Sequence, residues 1–178
     1  MVVEMRPSPY VLVAELEGLA LGLERFKTPL SRAVVKVLAP SIATNFAIGG
    51  RPPWQPLSDG TIAVRDLLMH VGSKPLIVTG QLEAVASSPS VWEVGEDYAQ
   101  VSGLNGAEYG IVHQFGADTS GNGAIIPARP FIDIQDSDAN AIEIIIDEWV
   151  AELLLAAGFV ASVTGVGEDA GGLSGASN

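Results

Sequence analysis

From Leu12 onward the apolar positions Leu12, Leu16, Leu19, Leu23, Phe26, Leu30, Val34 and Val37 recur in steps of four and three. That is the stripe of an amphipathic helix. Gly18 and Gly22 each cost about 1 kcal/mol relative to alanine inside a helix, and Pro29 lacks a backbone donor. The stripe therefore predicts two helical segments with a break near Thr28-Pro29. Ser31 is placed to cap the second segment, and Pro40 to disturb its end. The following run, Gly49-Gly50-Arg51-Pro52-Pro53-Trp54-Gln55-Pro56-Leu57, carries two glycines and three prolines around one large aromatic. It predicts a loop pinned by Trp54. A short helix is expected from Thr61 to Met69 through Ile62, Leu67 and Leu68, and Thr79-Gly80-Gln81-Leu82 opens another that ends before Ser87-Ser88-Pro89.

At Ser90 the period changes to two. Val91, Glu93 and Gly95 alternate with Trp92 and Val94, as a half-buried strand requires, and Glu96-Asp97 reverses the chain into Tyr98-Ala99-Gln100-Val101, which predicts a hairpin. Ile111 to Phe115 and Ile125 to Ile134 are further extended candidates, separated by a polar, glycine-rich stretch from Gly116 to Gly123 that reads as a mobile loop. Asp136-Ser137-Asp138 suits a helix N-terminus. Beyond it Ile142, Ile145, Ile146, Trp149, Val150, Leu153 and Leu154 fall at helical spacing, with Glu143, Asp147, Glu148 and Glu152 on the opposite, strongly negative face. The expected fold class is α+β: long N-terminal amphipathic helices and a C-terminal helix packed on a small, mainly antiparallel sheet. One domain is expected over residues 1–157, followed by a flexible Gly/Ser-rich tail over 158–178.

Composition sharpens this picture. A chain of 178 residues is one domain by default and buries roughly 70% of its unfolded surface. Hydrophobic residues make up 48% and charged residues only 17%, a sparsely charged surface that hints at self-association. The net charge of -12, from 21 acids against 9 bases, repels phosphate and argues against sequence-specific nucleic-acid binding. The chain has no cysteine, so disulfides, thiolate nucleophiles and thiolate zinc sites are excluded, in keeping with a reducing cytoplasm. The start Met-Val-Val-Glu lacks the basic region of a signal peptide, and Glu15, Glu17 and Glu24 interrupt the most hydrophobic stretch. A soluble, cytoplasmically made protein with no membrane partner is expected.

Candidate chemistry is thin. There are two histidines, His70 and His113, and neither has a metal-ligand spacing. His113, beside Gln114 and Phe115, reads as a structural hydrogen-bonding residue. Asp133, Asp136 and Asp138 could hold a divalent cation, but a calcium-loop glycine and terminal glutamate are missing, so acids at a helix start are the better reading. Gly103-Leu104-Asn105-Gly106 reads as a turn and not as a phosphate cradle. Ser58 and Thr79 lie near no base. Trp54, Trp92 and Trp149 are dispersed, which points to core or interface packing and not to a stacking platform. No catalytic residue, metal or cofactor is expected, and the chain does not read as an enzyme.

Five short motifs in fixed order carry more information: Asn45-Phe46; Gly50-Arg51-Pro52-Pro53-Trp54-Gln55-Pro56-Leu57-Ser58; Leu76-Ile77-Val78-Thr79-Gly80-Gln81-Leu82; Val112-His113-Gln114-Phe115-Gly116; and Ile126-Pro127-Ala128-Arg129-Pro130-Phe131-Ile132. Together they resemble the phage virion morphogenesis family, which includes tail-completion proteins of contractile-tailed phages and a Mu-like branch. The similarity runs from the second helix to the last. The resemblance implies a non-enzymatic virion component of the neck or tail end, made in the host cytoplasm. It implies a tail-terminating or tail-completing ring, a hexamer, meeting a head-connector protein on one side and tail proteins, such as the tail tube, on the other. DNA would pass through such a ring. The alternative is a transient tail-assembly chaperone that is not retained in the particle. The structural or interaction residues it marks are Arg51, Trp54, His113, Gln114, Phe115, Arg129, Pro130 and Phe131. Trp54 is expected to anchor the proline loop, and Phe115 and Phe131 to be core residues. Arg129, between Pro127 and Pro130, is placed either to pair within its own chain or to reach a neighbour.

Overall fold

The computed structural model describes residues 9–68, 70, 74–119 and 124–159. The N-terminal stripe forms α1 (Pro9–Leu23), a tight turn, and then α2 (Lys27–Ala33), a π-helical stretch (Val34–Leu38) and α3 (Ala39–Ile48) running on without interruption. The break falls at Glu24–Phe26, a few residues before the predicted Thr28-Pro29. Pro29 lies in the first turn of α2, where a backbone N–H has no helical acceptor in any case, so it opens the helix instead of breaking it. Ser31 is inside α2 and not at its cap; its hydroxyl donates to the Lys27 carbonyl at 2.8 Å. Pro40 does not end the helix either. The turn before it widens, with the Ala39 N–H reaching the Val34 carbonyl, which makes room for a ring that would otherwise press on the carbonyl four residues back.

After the loop come α4 (Asp59–Leu67), capped by the Ser58 hydroxyl accepting from the Thr61 N–H at 3.2 Å, and α5 (Gln81–Ala86). The predicted hairpin is β1 (Trp92–Val94) paired antiparallel with β2 (Ala99–Val101), Trp92 opposite Val101. A second antiparallel hairpin pairs β3 (Ala117–Thr119) with β4 (Ala124–Ile126). The fold is α+β as expected, with its sheet content divided between two separate hairpins. Three local expectations change. Residues 111–115 belong to a helix, α6 (Gly110–Phe115), not to a strand. Part of the stretch read as a loop is β3; its remainder, 120–123, lies outside the described residues. The extended candidate from Ile125 to Ile134 pairs as a strand only at its start, because Pro127 and Pro130 have no N–H to continue a ladder. The final helix, α7 (Asp136–Ala156), opens on a reciprocal capping box between Gln135 and Asp138. Most of the tail expected beyond Gly158 lies outside the described residues.

Two packing regions result. In the first, α1 and α2 lie on α7. Phe26 meets Trp149 edge to face at 5.4 Å, Arg32 forks onto Glu152 at 3.0 and 2.9 Å, and Gly22 lacks a Cβ just where Leu153 presses in, the added atom falling 2.7 Å from its side chain. In the second, Ile42 and Phe46 of α3 pack with Trp54, Leu82, Leu104 and Phe131. Phe46 is central, its ring 5.5 Å from Trp54 and 5.4 Å from Phe131.

That core rests against two proline-rich segments, 49–57 and 127–135, which run together with no strand ladder between them. Side chains make the connections instead. Trp54 Nε1 donates to the Pro130 carbonyl at 2.8 Å, Asn45 Nδ2 to the Phe131 carbonyl at 3.0 Å, and Gln135 Nε2 to the Arg51 carbonyl at 3.2 Å. Gln114 clips the second segment from outside: its oxygen accepts from the Phe131 and Ile132 N–H groups at 3.0 and 3.1 Å, and its nitrogen donates to the Ile132 carbonyl at 2.8 Å. Gly50, with φ of 97°, turns the first segment so that the Trp54 indole lies against it, where a Cβ would collide with the ring. Replacing Trp54 by Phe keeps the aromatic packing and orphans the Pro130 carbonyl. Urea unfolding is expected to show a loss of about 1–3 kcal/mol, against about 3–5 kcal/mol for Trp54→Ala.

Candidate functional site

The residues singled out by the sequence fall into two groups around the proline segments. Arg51 faces α3 and α7. Its Nε donates to Asn45 Oδ1 at 2.7 Å and its Nη2 to the Ser41 carbonyl at 3.0 Å and to the Ser41 hydroxyl. The Ser41 hydroxyl in turn donates to Asp138, whose Oδ2 lies 4.0 Å from Arg51 Nη2 and also accepts from the Gln135 N–H at 3.0 Å. Ser41, Asn45 and Asp138 are all buried. A charge pair out of water requires such additional partners, and here they tie α3, the proline loop and the start of α7 together. Asp138 is committed to this network, and Asp133 accepts from Gln135 Nε2 at 3.0 Å. Among the described residues no group of three or more His, Asp or Glu side chains converges as a metal set.

The second group borders a groove of about 760 Å³ between the loop after Trp54, α4, the segment 76–82, α6 and β4. Arg129 forms one wall. It is buried, its backbone N–H donates to the His113 carbonyl at 2.7 Å, and its guanidinium donates to the Gln55 carbonyl at 2.9 Å and the Pro56 carbonyl at 3.2 Å. It serves its own chain's proline loop. Burial, together with nearby Arg65, pulls Arg129 below the usual guanidinium range. Arg65 also lines the groove, with its Nη1 donating to the Lys74 and Ile77 carbonyls at 2.9 and 3.1 Å. No acidic side chain lines the groove. In a chain carrying -12, this is a locally positive, largely apolar surface.

His113 sits here against Tyr109, the rings edge to face at 6.1 Å. It was expected to hydrogen-bond, yet its buried Nδ1 has no partner. Burial first, and then the charge of Arg129, hold its pKa below the ordinary histidine value. His70 is exposed after α4 and does not border the groove. Phe131 is fully buried, as expected. Phe115 is not a core residue: it is 76% exposed. It ends α6 on the outer side, because residues 111–115 are helical and the inward positions of that turn are taken by Gly110 and Gln114.

Phe115 is not alone in being apolar and exposed. Ile111 of the same helix, Ile125 on β4, Val64 and Leu67 on α4 and Leu68 just after it are all exposed, Leu67 by 82% and Ile125 by 77%. Along α1, Tyr10, Val11, Leu12, Val13, Leu16, Leu21 and Leu23 are exposed as well. The available signal was a segment apolar on every helical face, which no single neighbour covers.

The depressed pKa of His113 gives a signed expectation. The folded state favours the neutral ring, so its stabilising effect is complete above the unfolded value near 6.5 and is lost as pH falls below it toward the folded value. His113→Leu is expected to flatten the stability curve in that window; thermal unfolding of both proteins across the acid range checks it.

The phage virion morphogenesis family matches residues 14–151. The "Mu-like prophage FluMu G protein 2" of Haemophilus influenzae is 33% identical over 128 residues, covering 71% of this chain and 80% of the relative. No solved structure matches the chain. The matched span takes in both proline segments, Arg51 with its buried partners and the groove, and by that match the chain belongs to the phage virion morphogenesis family and has a structural role in building phage particles.

Proposed function

We propose that the chain is a ring component at the neck or tail end of the virion, a tail-completion or tail-terminator protein that joins the tail to the head connector. The observation that carries this reading is the amount of apolar side chain left uncovered on α1, α4, α6 and β4. Monomeric proteins rarely leave contiguous apolar areas of that kind in water, and they mark surfaces for association. The exposed residues lie on several different elements. That arrangement supports contacts in which unlike surfaces meet, and such contacts close into rings when the rotation allows. The count of six comes from the resemblance to tail-completing proteins.

Charge adds to the reading. Glu143, Asp147, Glu148 and Glu152 are exposed along α7, and a ring lined by such a face lets DNA pass without adhering, since like charge withholds counterion-release energy. Among the described residues no helix is long and apolar enough to cross a membrane. The Haemophilus relative is named as a Mu-like prophage protein, in keeping with a phage part.

Light scattering on the purified chain is expected to give a closed oligomer, and mass spectrometry of purified particles a fixed, low copy number consistent with one ring. A chain that stays monomeric at every concentration overturns the ring. Abundance in infected-cell lysate together with absence from finished particles replaces it with a tail-assembly chaperone.

A further inference from the structure

Among the described residues, the outer face of α1 and the groove have complementary chemistry. On α1, the side carrying Glu15, Leu19 and Gly22 faces α7, with Gly22 against Leu153 and Glu15 near Gly158. The other side presents Tyr10, Val13, Glu17 and Leu21, spaced three, four and four residues apart and therefore in one row. Tyr10 is 89% exposed and Leu21 62%. Between Pro9 and Leu23 the charged residues are Glu15 and Glu17, with no base, so the free row is apolar with a single negative charge. The groove is its counterpart: apolar at Leu76, Val78 and Ile126, positive at Arg65 and Arg129, and without a carboxylate.

We propose that the free face of α1 from one copy docks into the groove of the next copy, with Glu17 facing the arginine side. This rests on the ring reading and says which surfaces make the ring. Donor and acceptor are different parts of the molecule, so each copy offers one of each and the contact repeats head to tail. Apolar burial supplies the attraction. The charge pairing sets orientation and disfavours a second α1 as occupant, since that would bring two Glu17 side chains together.

The native absence of cysteine makes the test direct. Val13→Cys on α1 and Thr79→Cys on the groove rim, combined in one chain and oxidised, are expected to give a ladder of intermolecularly linked species, whereas either substitution alone gives none. A disulfide dimer from Val13→Cys alone, a linked monomer, or no ladder while light scattering shows assembly overturns the proposal. Charge provides a second arm that leaves the fold intact. Glu17 is exposed, and Thr61→Glu turns the start of α4 into a capping box with Ser58 while adding a negative charge beside the groove. Glu17→Lys and Thr61→Glu are each expected to raise the concentration for half-assembly by about tenfold, and the double variant to return to within about threefold of the natural protein. Rings that persist unchanged in both single variants refute this contact and leave the ring reading standing. A natural chain that never associates refutes both.

Discussion

Backbone carbonyls without nearby amide donors are the constraint around which this fold is organised. The segments 49–57 and 127–135 carry Pro52, Pro53, Pro56, Pro127 and Pro130, so they cannot exchange a regular ladder of N–H···O bonds although they run side by side. Buried carbonyls must still be satisfied. Trp54, Asn45, Arg129, Gln114 and Gln135 do this, reaching in from α3, from α6 and from the two segments themselves. Because every one of these side chains must arrive at a fixed place, they also position α3, α6 and the start of α7, and the hydrophobic cluster around Phe46 fills the space that remains.

The five short motifs that resemble the family make sense in this light. They are far apart in the chain, yet Asn45, Arg51, Trp54, Gln114, Arg129 and Phe131 meet within one region of hydrogen bonds and ring contacts. Much of this region shows little of itself to solvent. The family's sequence pattern therefore records in large part how a scaffold is held together, and the same motifs also supply much of the groove wall, through Pro56, Leu76, Thr79, Ile126 and Arg129.

How far the sequence could be read followed from the range of the forces involved. The long helices and the β1–β2 hairpin were visible because periodic burial writes itself into neighbouring residues. The start of α7 was visible in Asp136 and Asp138, since the macrodipole acts within one turn. Residues 111–115 form a helix where a strand was expected: five residues, Ile-Val-His-Gln-Phe, are too few for a period to separate strand from helix, and the deciding contacts, Gln114 to Phe131 and Ile132, lie seventeen and eighteen residues away. Phe115 then fell on the wrong side of the molecule. Pro40 misled for the opposite reason, because a widened turn relieves the clash that local rules count as a stop. Of the groove, Ser58, Thr79, His113 and Arg129 stand out in the sequence as single residues, but nothing local brings them to one wall. Its charge balance depends on which acids are absent from its walls, and that is a property of the assembled surface.

The donor-poor segments have one more effect. Extended backbone with free N–H and C=O groups is a template on which other chains add strands, a hazard for any protein that must gather in many copies. Here the longest extended stretches offer proline rings and carbonyls already occupied by their own side chains. Backbone pairing with another chain finds little purchase on them, and any contact made there falls to the shape and charge of side chains.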